Sequence, residues 1–398
     1  MRPGSVTSGR VNTPKTDTKR ISMTSEFIET SSPGERPEEA LATPGANGTA
    51  ATAIGREALA SCVRPDVLGP ALAEALEDER WIELSFDLIA GGKSNLTFEL
   101  HSDAGTLILR RPPIGPILAS AHDMGREARV QRALTHTAVP VATIIFQDPA
   151  GELIGAPFYV MDKVPGHVIR DSLPPAYADS DADRVAIADA LVDALLALHA
   201  VDPAAIGLAD YGRPSGFVER QIRRWHGQWE QSKTHDLPVL EELASALRGR
   251  LPAEAPRSCV VHGDFRLDNC LMDLVDPGRV AAVLDWELST LGDPMTDLGM
   301  LLFYWKGPGE PAPLLTPALT QERGFPTRSH LVERYMAAAG DVPEDLEFYE
   351  AFAHFKFAVI AQGVAARVAS GAMAGQEFGD IESEVARVAA QGLARLKG

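Results

Sequence analysis

Val261-His262-Gly263-Asp264-Phe265-Arg266-Leu267-Asp268-Asn269, followed by Val283-Leu284-Asp285-Trp286-Glu287, is the stretch on which the reading of the fold turns. Between Asn269 and Asp285 the chain reads as two short apolar strands around Asp276-Pro277-Gly278, a turn sequence. Folding back at that turn would return Asp285 to the side of Asn269. Asp264 could then accept the proton of an attacking hydroxyl. An amide and a second carboxylate would offer hard oxygen ligands of the kind Mg²⁺ takes alongside phosphates. Each residue taken singly reads as a turn carboxylate or a core histidine; the joint spacing carries the argument. A metallohydrolase site using His262 and Asp264 would need a further His or Asp cluster, which the sequence does not offer.

Upstream lies a β-rich region. Strands are expected at Glu83–Ala90, Leu96–Ser102 and Thr106–Arg110, then near Ala142–Gln147 and Phe158–Lys163. Helices are expected at Pro65–Asp78 and Asp123–Leu134. The turn Gly91-Gly92-Lys93-Ser94-Asn95 joins the first two strands, and Val164-Pro165-Gly166 reads as a hinge. Beyond it the chain is mainly helical: Ala182–Val201, Gly216–Lys233, Asp293–Tyr304, Ser329–Ala339, Asp345–Ala369 and Glu382–Lys397. The expected class is α+β and bilobal, with a disordered extension at 1–53, a small β-rich N-lobe at 54–163 and a large helical C-lobe at 164–398.

The interval from Asp264 to Asn269, with a second acid after a strand pair, is that of the protein-kinase catalytic loop and metal site. The whole run, with Gly292-Asp293-Pro294 and Asp297-Leu298-Gly299, resembles the aminoglycoside phosphotransferase superfamily. Within it the run is most similar to kinase-like domains fused ahead of some acyl-CoA dehydrogenases. The resemblance implies an ATP- and Mg²⁺-dependent small-molecule kinase with Asp264 as base and Asn269 and Asp285 as metal ligands. It also implies that Gly91, Gly92, Lys93, Ser94 and Asn95 form a loop over the phosphates, that Arg110, helped by Arg111, contacts them, and that Glu127 pairs with that cation. Arg266 is expected to meet the phosphoryl group or the substrate, with bracing of Asp293 or Asp297 as the alternative. Asp293 is expected to cap a helix, and both acids to brace the catalytic loop. The acceptor implied is a small-molecule hydroxyl, on a hydroxy acid or a hydroxyacyl-CoA. An amino-alcohol or aminoglycoside acceptor, and a nucleotide-binding pseudokinase, stand as alternatives. Gly263 in place of Arg, Trp286-Glu287 in place of Phe-Gly, and no following Ala-Pro-Glu remove the phospho-switch parts of protein kinases.

Composition agrees. Of 398 residues, 45% are hydrophobic and 23% charged, as in ordinary globular chains. A net charge of −18 argues against nucleic acid as partner. No apolar run approaches the roughly 20 residues that cross a membrane. Cys62, Cys259 and Cys270 have no metal-ligand spacing, and so few cysteines suit a reducing cytoplasm. Residues 1–22 are basic like a transit peptide; an upstream start codon, with Met23 as the true start, is the plainer explanation. A weaker acceptor-site candidate is the Arg220, Arg223, Arg224, Trp225 and Trp229 stripe, with His354 and Gln362.

Overall fold

The structure, a computed structural model, describes residues 55–89, 95–114, 123–255, 257–340, 345–370 and 379–397. The N-terminal extension expected at 1–53 and the loop residues Gly91, Gly92, Lys93 and Ser94 lie outside them. Two short helices, α1 (Arg56–Val63) and α2 (Pro65–Leu76), lead into β1 (Ser85–Leu88), β2 (Leu96–Ser102) and β3 (Gly105–Arg111). Helix α3 (Met124–Leu134), capped by the Asp123 carboxylate, precedes β4 (Ile144–Asp148) and β5 (Phe158–Asp162). The strands form one antiparallel sheet in the order β1-β2-β3-β5-β4.

Alternation along these strands decides what each face meets. Phe98, Leu100, Leu107, Leu109, Phe158 and Val160 turn to one face and pack with Cys62, Leu68, Leu72 and Trp81 from the α1–α2 side. Tyr159 turns to the other face, where Met124 and Ala128 of α3 and Ile144 cover it. Arg110 is paired with Tyr159 in the register and shares that second face. Arg111 belongs to the first. Its guanidinium is buried and donates to the Cys62 carbonyl at 2.9 Å, so it does not assist Arg110 as the sequence suggested.

After β6 (His167–Val168) come α4 (Asp181–Ala200), α5 (Phe217–Ser232) and α6 (Pro238–Gly249). Then β7 (Cys259–Val261), β8 (Cys270–Met272), β9 (Val280–Val283) and β10 (Thr290–Gly292) carry the motif. Helices α7 (Met295–Tyr304), α8 (Arg328–Ala339), α9 (Leu346–Ala369) and α10 (Ile381–Lys397) complete the chain. Helix α9 is buried on nearly every side, which accounts for its apolar residues all round rather than on one stripe. Glycine lets α7 approach it: a Cβ on Gly299 would lie 2.6 Å from the Tyr349 carbonyl oxygen. The fold is α+β and bilobal, a small antiparallel sheet followed by a large helical lobe, as the sequence suggested. Sequence reading missed α1 and α6, although Leu240, Leu243, Ala244 and Leu247 of α6 fall at helical spacing and are buried.

Candidate active site

Strand β7 ends at Val261 and delivers residues 262–269 as a loop; its partner β10 starts at Thr290, opposite Val261. The hairpin β8–β9 pairs Cys270 with Val283, and the Leu284 amide donates to the Asn269 carbonyl at 2.8 Å. Asp285 therefore follows directly on a residue bonded to Asn269, as the turn at Asp276-Pro277-Gly278 led one to expect. Asp285 sits at φ +63°, left-handed backbone that a non-glycine residue adopts at some cost and that recurs at functional sites.

The loop is held from beneath. Asp297, fully buried on the first turn of α7, accepts from the amides of His262 at 2.6 Å and Gly263 at 2.7 Å. Its remaining partner is His199 Nε2 at 3.3 Å. Burial would raise the Asp297 pKa, yet these donors and nearby His262 bring it below its ordinary value. His262 donates from Nε2 to the Leu284 carbonyl at 2.7 Å, and its Nδ1 accepts from the Asp264 amide at 3.2 Å. Both ring nitrogens are thus spent on backbone, tying the loop to the strand that leads to Asp285. Gly263 has φ +86°, and a Cβ there would lie 2.7 Å from the Leu288 carbonyl oxygen, so the loop needs glycine.

Asp264 is held on both oxygens. Tyr304 Oη donates to Oδ1 at 2.8 Å, and Asn269 Nδ2 donates to Oδ2 at 3.1 Å. Arg266 lies between two acids, its Nε 3.3 Å from Asp264 Oδ2 and 3.2 Å from Asp268 Oδ1, with the guanidinium over the Tyr304 ring. Burial works to raise the Asp264 pKa; Arg266, Lys356 and the Tyr304 hydroxyl outweigh it, and the carboxyl sits below its usual range. Arg266 does not brace Asp293 or Asp297. Asp293 accepts from the Met295 amide at 2.9 Å and from Tyr349 Oη at 2.6 Å, so it caps α7 and ties it to α9. Of the two acids, Asp297 is the one bonded to the loop.

On the sheet side, Arg110 gathers three acids. Its Nε meets Glu127 Oε2 at 3.0 Å, and its terminal nitrogen meets Asp285 Oδ1 at 2.5 Å and lies 3.9 Å from Glu287 Oε2. Glu127 is 1% exposed and also accepts from Tyr159 Oη at 3.1 Å and Asn95 Nδ2 at 3.3 Å. The same Asn95 amide donates to Glu287 at 3.2 Å. Burial raises the Glu127 pKa, Arg110 opposes it, and Asp285 adds to the rise, which leaves it above the ordinary value. Desolvation works against the Arg110 charge, but the surrounding acids more than offset it and its pKa rises. Sequence reasoning missed Tyr159, Glu287, Tyr304 and Lys356. Glu287 lay within the quoted motif; the other three carry no local signal.

Of the weaker candidates, His354 is buried, bonded to the Glu350 carbonyl and pushed by burial down to about 3. Gln362, also buried, ties α9 to Ser232 and Thr234. Trp229 is core, its indole donating to Glu241 at 2.7 Å. Arg220 is bonded to the carbonyls of Arg213 and Ser215. The three thiols are buried. Burial raises the pKa of Cys259 and Cys270, in keeping with a structural role.

Residues 85–352 match the model of the phosphotransferase enzyme family APH. The chain belongs to that family. The chain is 36% identical to acyl-CoA dehydrogenase family member 11 of Rattus norvegicus across 70% of its own length, and spans only 36% of that protein. Among solved structures, a candidate aminoglycoside phosphotransferase from Ralstonia eutropha is 36% identical, with TM-score 0.69, over 82% of this chain and 98% of that one. The aminoglycoside phosphotransferase APH(4)-Ia, solved with AMP-PNP and hygromycin B, shares the fold at 14% identity and TM-score 0.54, over 83% and 97% of the two chains. No described helix is long and apolar enough to cross a membrane.

Proposed function

We propose that the protein is a kinase that moves the γ-phosphoryl group of ATP to a hydroxyl of a small acceptor, on a hydroxy acid or its CoA thioester. The observation that carries this reading is the convergence of Asp264, Asn269 and Asp285 around one loop-and-hairpin frame, with Arg110 spanning from the sheet to Asp285. In the reaction, the acceptor oxygen forms a bond to the γ-phosphorus as the bond to the β–γ bridging oxygen breaks. The hydroxyl proton passes to Asp264, and ADP leaves. Tyr304 and Asn269 fix the orientation of that carboxylate, so the acceptor oxygen meets a preset base. Arg266 stands beside it as a cation suited to charge on the transferring oxygens.

Asn269 and Asp285 suit Mg²⁺. The Asn269 amide nitrogen is engaged by Asp264, which leaves Oδ1 as its acceptor end beside a partly exposed Asp285 carboxylate. When bound, the ion would supply charge neutralisation on the phosphates. In this reading Arg110, held by Glu127, which Tyr159 holds in turn, is the phosphate-contacting cation, and Asn95, bonded to Glu127, ends the phosphate loop. The acyl acceptor rests on the acyl-CoA dehydrogenase relatives, of which this chain spans a minor part.

The test is ADP release across hydroxy acids, hydroxyacyl-CoAs, amino alcohols and aminoglycosides. Asp264→Ala should lower turnover on the responding acceptor by roughly 10²–10⁴-fold, the share of a positioned acid–base group, with Mg-ATP still bound. Near wild-type turnover in that variant would remove Asp264 from the mechanism.

A further inference from the structure

Beside the catalytic loop is a narrow recess of about 20 Å³, room for a single oxygen-sized group, walled by Arg224 and Trp225 of α5, Lys356 of α9, Thr296 and Met300 of α7, and Gly263. Thr296, Met300 and Tyr304 follow one another at four-residue steps on a single face of α7. Tyr304 bonds to Asp264, so the face that walls the recess ends at the proposed base. Lys356 is 5% exposed, donates to the Gly263 carbonyl, and lies 5.2 Å from the Trp225 ring. An ammonium has three donors, and that bond uses one of them. The buried Trp225 Nε1–H has no hydrogen-bond partner among the described residues. No Asp or Glu lines the recess among those residues.

We propose that this recess is the subsite for the acyl oxygen of the acceptor, held by the Trp225 indole N–H and the Arg224 and Lys356 cations while the acceptor hydroxyl reaches Asp264. The inference rests on Asp264 being the base and narrows that reading to one end of the acceptor. Burial lowers the Lys356 pKa, and Arg224 adds to the fall against the opposing pull of Asp264 and Asp297. An oxygen between the two cations relieves that repulsion and satisfies the indole. A protonated amine meets two like charges and no carboxylate in the described lining of the recess. The recess therefore selects against amino-alcohol and aminoglycoside acceptors.

The acyl oxygen has two sources, the carboxylate of a free hydroxy acid and the thioester carbonyl of its CoA ester. Hydroxy acids of three to six carbons are assayed for ADP release beside their CoA thioesters and amino alcohols of equal length. Binding of each is measured by calorimetry with Mg-AMP-PNP present. Acids or thioesters should exceed amino alcohols at least about 10-fold in kcat/KM. Trp225→Phe keeps the ring and removes the N–H; Arg224→Gln, at an exposed position, removes the charge. Each should raise the KM of the responding acyl compound about 10-fold. A larger effect at Arg224 identifies the carboxylate as the source, and a larger effect at Trp225 the thioester. Nucleotide affinity of each variant separates local loss from misfolding. Amino alcohols used as well as acyl compounds, or an unchanged acyl KM in both variants, would overturn the proposal with the kinase reading intact. Acyl binding that Trp225→Phe weakens, without turnover of any compound, would support the recess and sink the kinase reading. Neither binding nor turnover of any acyl compound would overturn the recess.

Discussion

The hydroxyl of Tyr304 donates to Oδ1 of Asp264 at 2.8 Å, joining the last turn of α7 to the loop that leaves β7. This bond is one of the influences that bring the Asp264 carboxyl below its ordinary value despite burial. Tyr304→Phe leaves the ring and deletes the donor. The Asp264 pKa should then rise, moving the acid limb of the kcat–pH profile to higher pH, with turnover at neutral pH down by several-fold. An acid limb at the wild-type position would show that the hydroxyl does not act on Asp264.

The same shift bears on stability. A carboxyl whose folded pKa is depressed contributes stability that is present above its unfolded pKa, about 3.9, and is lost as pH falls through the folded value. Asp264 and the buried Asp297 both behave this way. Acid unfolding should therefore start at lower pH in wild type than in Asp297→Asn, which also loses the charge that receives the His262 and Gly263 amides. Circular dichroism against pH, read for both proteins, checks it; coincident curves would show that Asp297 holds the loop by shape alone.

Arg110 separates two buried or half-buried acids that would otherwise repel each other, Glu127 and Asp285. Arg110→Met leaves Glu127 buried without its cation, and such losses cost about 3–5 kcal/mol. Arg110→Lys should be milder, because an ammonium keeps the charge but cannot span all three acids in a fixed fork. Chemical denaturation should rank wild type above Lys above Met, and the KM for ATP should rise in the Lys variant. An Arg110→Lys variant matching wild type in both would refute the bridging role.

Asp285→Asn retains shape and removes a charge. If the carboxylate holds Mg²⁺ against the phosphates, residual turnover should need a much higher Mg²⁺ concentration, with the fold preserved. An Asp285 that only closes the hairpin predicts a stability change, or none, at an unaltered Mg²⁺ midpoint. Titrating Mg²⁺ against turnover and nucleotide affinity in both proteins decides.

Gly263→Ala places a methyl 2.7 Å from the Leu288 carbonyl at a φ of +86°. Left-handed backbone alone costs an alanine about 1–2 kcal/mol. The loop should shift and turnover fall by well over 10-fold, while thermal melting drops by only a few degrees. Full activity in this variant would mean the loop tolerates another geometry.

What the sequence by itself determined is local. Period-2 alternation marked the strands, helical spacing marked most of the helices, and a turn sequence between two short strands placed Asp285 near Asn269. These signals lie along the chain, where sterics and backbone bonding act over a few residues. Even Arg111 was legible in principle, since adjacent strand residues face opposite ways. Tertiary structure decided the rest. Tyr304 lies 40 residues from Asp264 and Lys356 lies 93 residues from Gly263, and each is an ordinary helical residue until α7 and α9 pack beneath the loop. The sequence led to a cap at Asp293 and a loop brace at both acids; the backbone amides that each one meets left the bracing to Asp297. Hydrogen bonding and charge pairing act across space over a few ångströms, so partners that distant in sequence leave no spacing to read.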